Sequence, residues 1–164
     1  MATSRIYTVR ETAILFADSF QAEDATLTLS ALASGVGRVS ARFDRGAGAI
    51  AALYEWRLNW SLTGTNILLA AAEIWVFTSD GTNADGIVGT GDAALLTGQR
   101  NAGKLAGLAL VTQTATNTVM TSSGYIWIPS RYISMGVWNA TTLNFQTSTS
   151  LHQLYLIPVP DEGQ

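Results

Sequence analysis

The sequence predicts an all-β protein, an antiparallel β-sandwich with a jelly-roll-like arrangement. Three observations support this fold class. Residues 53–63 alternate between apolar and polar side chains, several other segments repeat the pattern at short spacing, and helical periodicity is scarce. Because successive side chains of a strand point to opposite faces, residues 53–63 place two Trp, a Tyr and two Leu on one buried face. An up-and-down barrel is the alternative that the sequence leaves open.

The N-terminal third contains one irregular segment and two alternating ones. Residues 1–23 fit neither period, and we expect either an N-terminal arm with a short strand that lies on a neighbour or a simple edge strand. Residues 25–31 and 37–44 alternate, which predicts two strands that are each buried on one face, joined by a turn at Ser34-Gly35.

The middle of the chain combines a central strand with a long excursion. Residues 71–79 are apolar on both faces, which predicts a strand covered on both sides. Residues 80–107 are rich in Gly, Asp, Asn and Thr, and a loop of this length is usually functional or has structure of its own. Within it we expect a short helix over residues 92–97, with Asp92 as its N-cap.

The C-terminal part predicts four more strands. Residues 108–120 are strand-like, with a ladder formed by Thr112, Thr114, Thr116 and Thr118 on one face. Further strands are expected at residues 124–128, 131–139 and 152–159. One sandwich domain therefore covers residues 24–160, followed by a tail at residues 161–164.

Composition limits the possible partners. Charged side chains make up only 13% of the 164 residues, against about 25% in a typical soluble domain. We therefore expect part of the weakly charged surface to be buried against other subunits. The net charge of −3 argues against nucleic acid as a partner, and the absence of cysteine excludes disulfides and thiolate metal sites. No apolar run is long enough to span a bilayer and no signal peptide is recognisable, so we expect synthesis in the cytosol and no membrane partner.

The sequence offers little catalytic chemistry, and we predict that the protein is not an enzyme. His152 is the only histidine, no G-x-S-x-G elbow is present, and His152 lies in an alternating strand, which favours a structural role. Glu55 and Glu73 are the best pair of carboxylates for glycoside hydrolysis, but a structural role in ion pairs is favoured for them too. Residues 80–86 and Asp92 offer oxygen ligands for calcium without the EF-hand spacing, and Asx-turns explain them better. We predict no cofactor and no metal.

The C-terminal third carries a family resemblance. Residues 123–140 read SGYIWIPSRYISMGVWNA, and residues 154–164 read LYLIPVPDEGQ. These segments resemble virion structural proteins of tailed bacteriophages, in which a P-x-R-Y-I/V-S strand entry is followed by a V-x-N strand end, and the last strand runs into x-P-x-P-D-E. The likeness covers roughly residues 120–164, with a weaker echo in residues 75–83. The 80–107 excursion has no counterpart in it.

The resemblance implies a capsid decoration (cement) protein of the virion. Such a protein binds the outer surface of the assembled head and holds neighbouring capsomers of the major capsid protein together. It acts as a homo-oligomer, with a trimer favoured here. The side chains expected at these interfaces are Ile6, Tyr7, Ile14, Phe16, Asp85, Asp92, Arg100, Trp127 and Trp138. The alternative is a tail- or fibre-associated carbohydrate-binding module that uses Trp127 or Trp138 as an exposed stacking surface.

Overall fold

The computed structural model describes residues 12–19, 21–47, 51–81 and 92–159. Within these ranges the chain forms two β-sheets that pack face to face, so the predicted all-β antiparallel sandwich is confirmed, while the jelly-roll-like arrangement stays a prediction. In chain order the elements are β1 (Ile14–Ala17), β2 (Ala25–Thr26), β3 (Gly37–Val39), β4 (Phe43–Asp44), β5 (Leu53–Trp60), β6 (Ala71–Ser79), β7 (Ala93–Leu95), α1 (Thr97–Arg100), β8 (Lys104–Leu110), β9 (Met120–Trp127), β10 (Tyr132–Asn139) and β11 (Gln153–Pro158). Consecutive strands such as β5 and β6 lie in different sheets, which is not the order of an up-and-down barrel.

The first sheet, called sheet A, has the strand order β2-β1-β11-β5-β9. All its strand pairs are antiparallel except β1 with β2. Because β1 is paired with β11 on one side and with β2 on the other, it is an inner strand and not the edge strand that the sequence left as an alternative. The alternation in β5 gives the predicted result, because its aromatic and leucine side chains are buried while the side chains between them face outward. The buried set of β5 is Tyr54, Trp56, Leu58 and Trp60.

The second sheet, called sheet B, has the order β7-β3-β10-β6-β8, with β4 beside β10. The single strand predicted over residues 37–44 is divided into β3 and β4 at Ser40. The Met135 N–H donates to the Ser40 hydroxyl at 3.0 Å, and the Ser40 N–H donates to the Met135 carbonyl at 2.8 Å. The Ser40 hydroxyl oxygen thus accepts the Met135 N–H in place of a backbone carbonyl, which interrupts the backbone hydrogen bonding to β10 between β3 and β4.

The main core lies between the sheets and includes Trp56. The indole N–H of Trp56 donates to the Ala106 carbonyl at 3.1 Å, and two glycines leave room for its ring. A Cβ added at Gly107 of β8 or at Gly124 of β9 would lie 2.6 or 2.8 Å from a ring atom. Glycine backbone on the two edge strands β8 and β9 therefore leaves space for one of the two tryptophans of the core.

The described part of the 80–107 excursion contributes the edge strand β7 and the start of the edge strand β8 to sheet B, with α1 between them, and side chains from it cover part of the outer face of the sheet. Leu95 joins Val39 and Phe77 in a second buried cluster there, so β6 is covered on both sides, as predicted. The predicted helix is misplaced, because residues 93–95 pair with β3 as a strand and the helix begins at Thr97. Asp92 is not its N-cap.

The threonine ladder predicted after residue 110 is wrong. Strand β8 ends at Leu110, residues 111–119 form a loop, and β9 begins at Met120. The Val111 N–H donates to the Ala70 carbonyl at 2.8 Å, and Asn117 has a left-handed backbone with φ of 59°. Contacts with a distant loop override the local alternation.

Candidate functional site

His152 is a structural residue. Its side chain is completely buried, its Nε2 lies 3.0 Å from the Gln146 carbonyl oxygen, and its ring packs against Phe145 with centroids 5.3 Å apart. Burial lowers the pKa of His152, because the charged imidazolium is disfavoured away from water. The neutral ring connects the loop before β11 to the core, in agreement with the structural role that the sequence favours.

Glu55 and Glu73 cannot act as one catalytic pair. Glu55 faces outward from sheet A and is paired with Arg57 at 2.9 Å. Glu73 faces outward from sheet B, where it accepts from Arg100 at 2.8 Å and from the Trp75 indole N–H at 2.9 Å. Because the whole sandwich lies between the two carboxylates, they cannot flank a single glycosidic bond.

Of the predicted interface residues, two are buried in the core and three lie outside the described part of the chain. Ile14 and Phe16 are core residues of β1, with 5% and 0% of their surface exposed, so they are corrected from contact residues to packing residues. Their period-2 spacing places both on the inner face of sheet A, where the hydrophobic effect holds them. Ile6, Tyr7 and Asp85 lie outside the described residues.

Asp92 and Arg100 hold the excursion against sheet B. Asp92 forms a salt bridge with Arg38 on β3, and its side chain is only 12% exposed. Arg100 pairs with Glu73 and lies 4.1 Å from the centroid of the Trp138 ring. Trp138 is therefore half-buried under a guanidinium group, whereas Trp127 at the end of β9 is 54% exposed.

Four loops meet at one end of the sandwich and contain no charged residue. We call this surface the neutral pole; it consists of residues 31–36, 61–70, 111–119 and 140–151. The protein has 21 Asp, Glu, Lys and Arg residues (9 basic plus 12 acidic), and none lies in these loops.

Hydrogen bonds between the loops order the neutral pole. Asn66, which is 3% exposed, donates through its side-chain amide to the carbonyls of Gln113 and Ala115 at 3.1 and 3.2 Å. The Thr63 N–H donates to the Asn144 carbonyl at 2.8 Å, and the Asn144 side chain accepts from the Ser34 N–H at 3.1 Å. The four loops thus form one connected surface rather than separate mobile segments.

The neutral pole exposes an apolar tip. Ile67, Leu68 and Leu69 are consecutive and are 57%, 53% and 77% exposed. Leu69 also has a φ of 67°, a left-handed conformation that costs roughly 1–2 kcal/mol for a residue with a Cβ. The tip continues along sheet B as a leucine strip on the edge strand β8, formed by Leu105, Leu108 and Leu110.

This arrangement provides contact area without titratable groups. Neutral polar side chains cost less to remove from water than charged ones, and exposed aliphatic side chains gain by being covered. Sequence reasoning did not find the neutral pole, although a signal exists: residues 58–72 and 105–130 are free of charge. That signal becomes a surface only when the topology brings the loops together.

In the described part of the chain, no three His, Cys, Asp or Glu side chains group closely enough to hold a metal ion. In the same residues, no helix has the length and apolar character required to cross a bilayer. Of the residues that offer oxygen ligands for calcium, Asp92 is engaged with Arg38, and residues 82–91 lie outside the described ranges.

Comparison with protein-family models, with curated proteins and with solved structures finds no match for this chain.

Proposed function

We propose that this chain is a phage capsid decoration protein that binds the outer surface of the assembled head through its neutral pole and strengthens contacts between capsomers. The observation that carries the proposal is the pre-ordered, charge-free pole with its exposed tip of Ile67, Leu68 and Leu69. The phage resemblance of residues 120–164 supports the choice of partner. In this proposal the protein is made in the host cytoplasm and resides on the capsid surface of the virion.

The composition of the pole fits a protein contact. The centres of protein interfaces are depleted of charge, and an exposed run of three aliphatic residues is unfavourable on a surface that stays in water. The fold holds Leu69 in a left-handed backbone conformation, so the tip is presented in a fixed orientation. A partner that covers the tip would remove the cost of exposing its aliphatic side chains.

The energy available per copy is moderate. Full burial of an Ile or Leu side chain contributes about 1.5–3 kcal/mol, so covering the exposed fractions of the tip contributes about 3–6 kcal/mol. Association itself costs about 4–15 kcal/mol, so one tip alone binds weakly. Many copies on a symmetric shell, each joined to its neighbours, convert this contribution into avidity.

The leucine strip is our proposed surface for self-association. It runs along the side of the sandwich, so it faces a neighbouring copy when the pole faces the shell. In a closed trimer the interface is head-to-tail, so the strip of one copy would contact a different surface of the next. We expect Leu108→Lys to convert a trimeric mass to a monomeric mass in light scattering. A wild-type chain that is already monomeric would remove this part of the proposal.

Co-sedimentation with purified heads of the encoding phage tests the attachment. We expect Leu68→Ser to weaken binding by about tenfold, because a half-exposed leucine contributes about 1.4 kcal/mol. The matched control is Leu96→Ser, which removes an exposed leucine outside the pole and should change binding less than about twofold. Because the pole lacks charge, affinity should be nearly independent of salt. A wild-type chain that stays in the supernatant refutes the attachment.

A further inference from the structure

The outer face of sheet A carries a second surface, distinct from the neutral pole. We call it the aromatic face; it consists of Tyr125, Trp127, Tyr155, Arg57 and Asn59. Tyr125 and Trp127 project from the edge strand β9 and are 67% and 54% exposed. They alternate with buried neighbours, so both rings lie on the solvent side of the sheet.

The strand register arranges these side chains in rows. Tyr125 lies beside Glu55 of β5, and Ser123 lies beside Arg57. On the other side of β5, Tyr155 of β11 is paired with Arg57. Aromatic rings therefore border a central polar strip from both sides.

A shallow depression opens on this face. Its volume is about 530 Å³, and its lining residues are Ala13, Arg57, Asn59, Thr121, Tyr155 and Ile157. The depression is open to solvent, and of the three aromatic residues of the face Tyr155 lines it, while Tyr125 and Trp127 lie further along β9. Apolar ring and aliphatic surface combines here with amide, hydroxyl and guanidinium groups.

Hydrogen bonds within the face hold the polar groups in place. Arg57 donates to Glu55 at 2.9 Å, and the Thr121 hydroxyl donates to the Asn59 side-chain oxygen at 2.8 Å. The bond from Thr121 orients the Asn59 amide, so its N–H groups are directed as donors. The Glu55–Arg57 pair contributes donors and acceptors while its net charge is zero.

We propose that the aromatic face binds a neutral oligosaccharide. The C–H faces of a sugar ring stack on exposed planar aromatic side chains, and its hydroxyls need donors and acceptors close together. The internally neutralised Glu55–Arg57 pair disfavours an anionic ligand, which would require unpaired cations. This site is independent of head attachment, because it lies on the flank of the sandwich and not at the neutral pole.

A glycan array with neutral and anionic oligosaccharides, followed by saturation-transfer NMR on the strongest neutral ligand, tests the proposal. Tyr125→Ala should weaken binding by about tenfold, because an exposed ring supplies stacking but no core packing. Tyr125→Phe keeps the ring and should stay within about twofold of the wild type. Leu96→Ser, on another surface, should bind normally.

Three outcomes would overturn the proposal. The first is no binding to any neutral oligosaccharide on the array, and the second is binding restricted to anionic ones. The third is that Tyr125→Ala releases the chain from phage heads while no glycan binds, which would make the aromatic face a protein interface.

Discussion

Replacement of Asn66 by alanine tests the order of the neutral pole. The change removes two hydrogen bonds from a side chain that is 3% exposed, to the carbonyls of Gln113 and Ala115. Each such bond contributes about 1 kcal/mol net, so the free energy of unfolding should fall by about 2 kcal/mol. The fall is not larger because Gln113 and Ala115 are themselves exposed and their carbonyls can bind water.

Urea and thermal unfolding measure this effect. For a domain of this size, a loss of about 2 kcal/mol corresponds to a decrease in Tm of about 4–8 °C. The control is Asn59→Ala, which removes one exposed hydrogen bond to Thr121 and should cost less than about 0.5 kcal/mol. Equal stability of Asn66→Ala and Asn59→Ala would refute a contribution of the Asn66 side chain to the connection between the loops at residues 61–70 and 111–119.

Three further predictions concern the strained tip, the core and the buried histidine. Leu69→Gly should raise the free energy of unfolding by about 0.5–1 kcal/mol, because glycine adopts a φ of 67° without strain. The same change should weaken head binding in co-sedimentation, because it removes an exposed aliphatic side chain of the tip. A decrease in the free energy of unfolding would contradict this prediction. Gly124→Ala should cost about 1–3 kcal/mol in urea unfolding, because the new Cβ would lie 2.8 Å from the Trp56 ring, whereas the exposed neighbour change Ser123→Ala should have little effect. Because burial lowers the folded-state pKa of His152, the unfolded chain binds more protons than the folded chain below about pH 6.5. As the pH decreases from about 6.5 toward the folded-state pKa, the free energy of unfolding should therefore fall by at most about 1.4 kcal/mol per pH unit. Urea unfolding midpoints that do not change between about pH 7.5 and 5 would count against a neutral buried ring.

The strands that sequence predicts well are those whose periodicity agrees with their burial. In β5 and β10 every second side chain is large and apolar, so one face must be buried whatever the partner strands are. The same logic fails over residues 111–119. Four alternating threonines fit a strand there, but the pairing of Val111 with Ala70 and the amide of Asn66 fix the segment as a loop.

The candidate surfaces were harder to predict for a related reason. The neutral pole combines loops that are up to about one hundred residues apart in sequence, and their proximity depends on the strand order of both sheets. Ile14 and Phe16 looked like arm residues because their segment is too short for a clear period. Trp127 and Trp138 have similar sequence surroundings, yet only the structure reveals that Arg100 covers the second.

Electron microscopy of intact particles tests the central claim most directly. We expect density for the sandwich on the outer surface of the head, with the loops at residues 61–70 and 111–119 against the shell and the side chains of Ile67, Leu68 and Leu69 covered. Density with the opposite end of the sandwich against the shell, or heads that lack this chain altogether, would contradict the account.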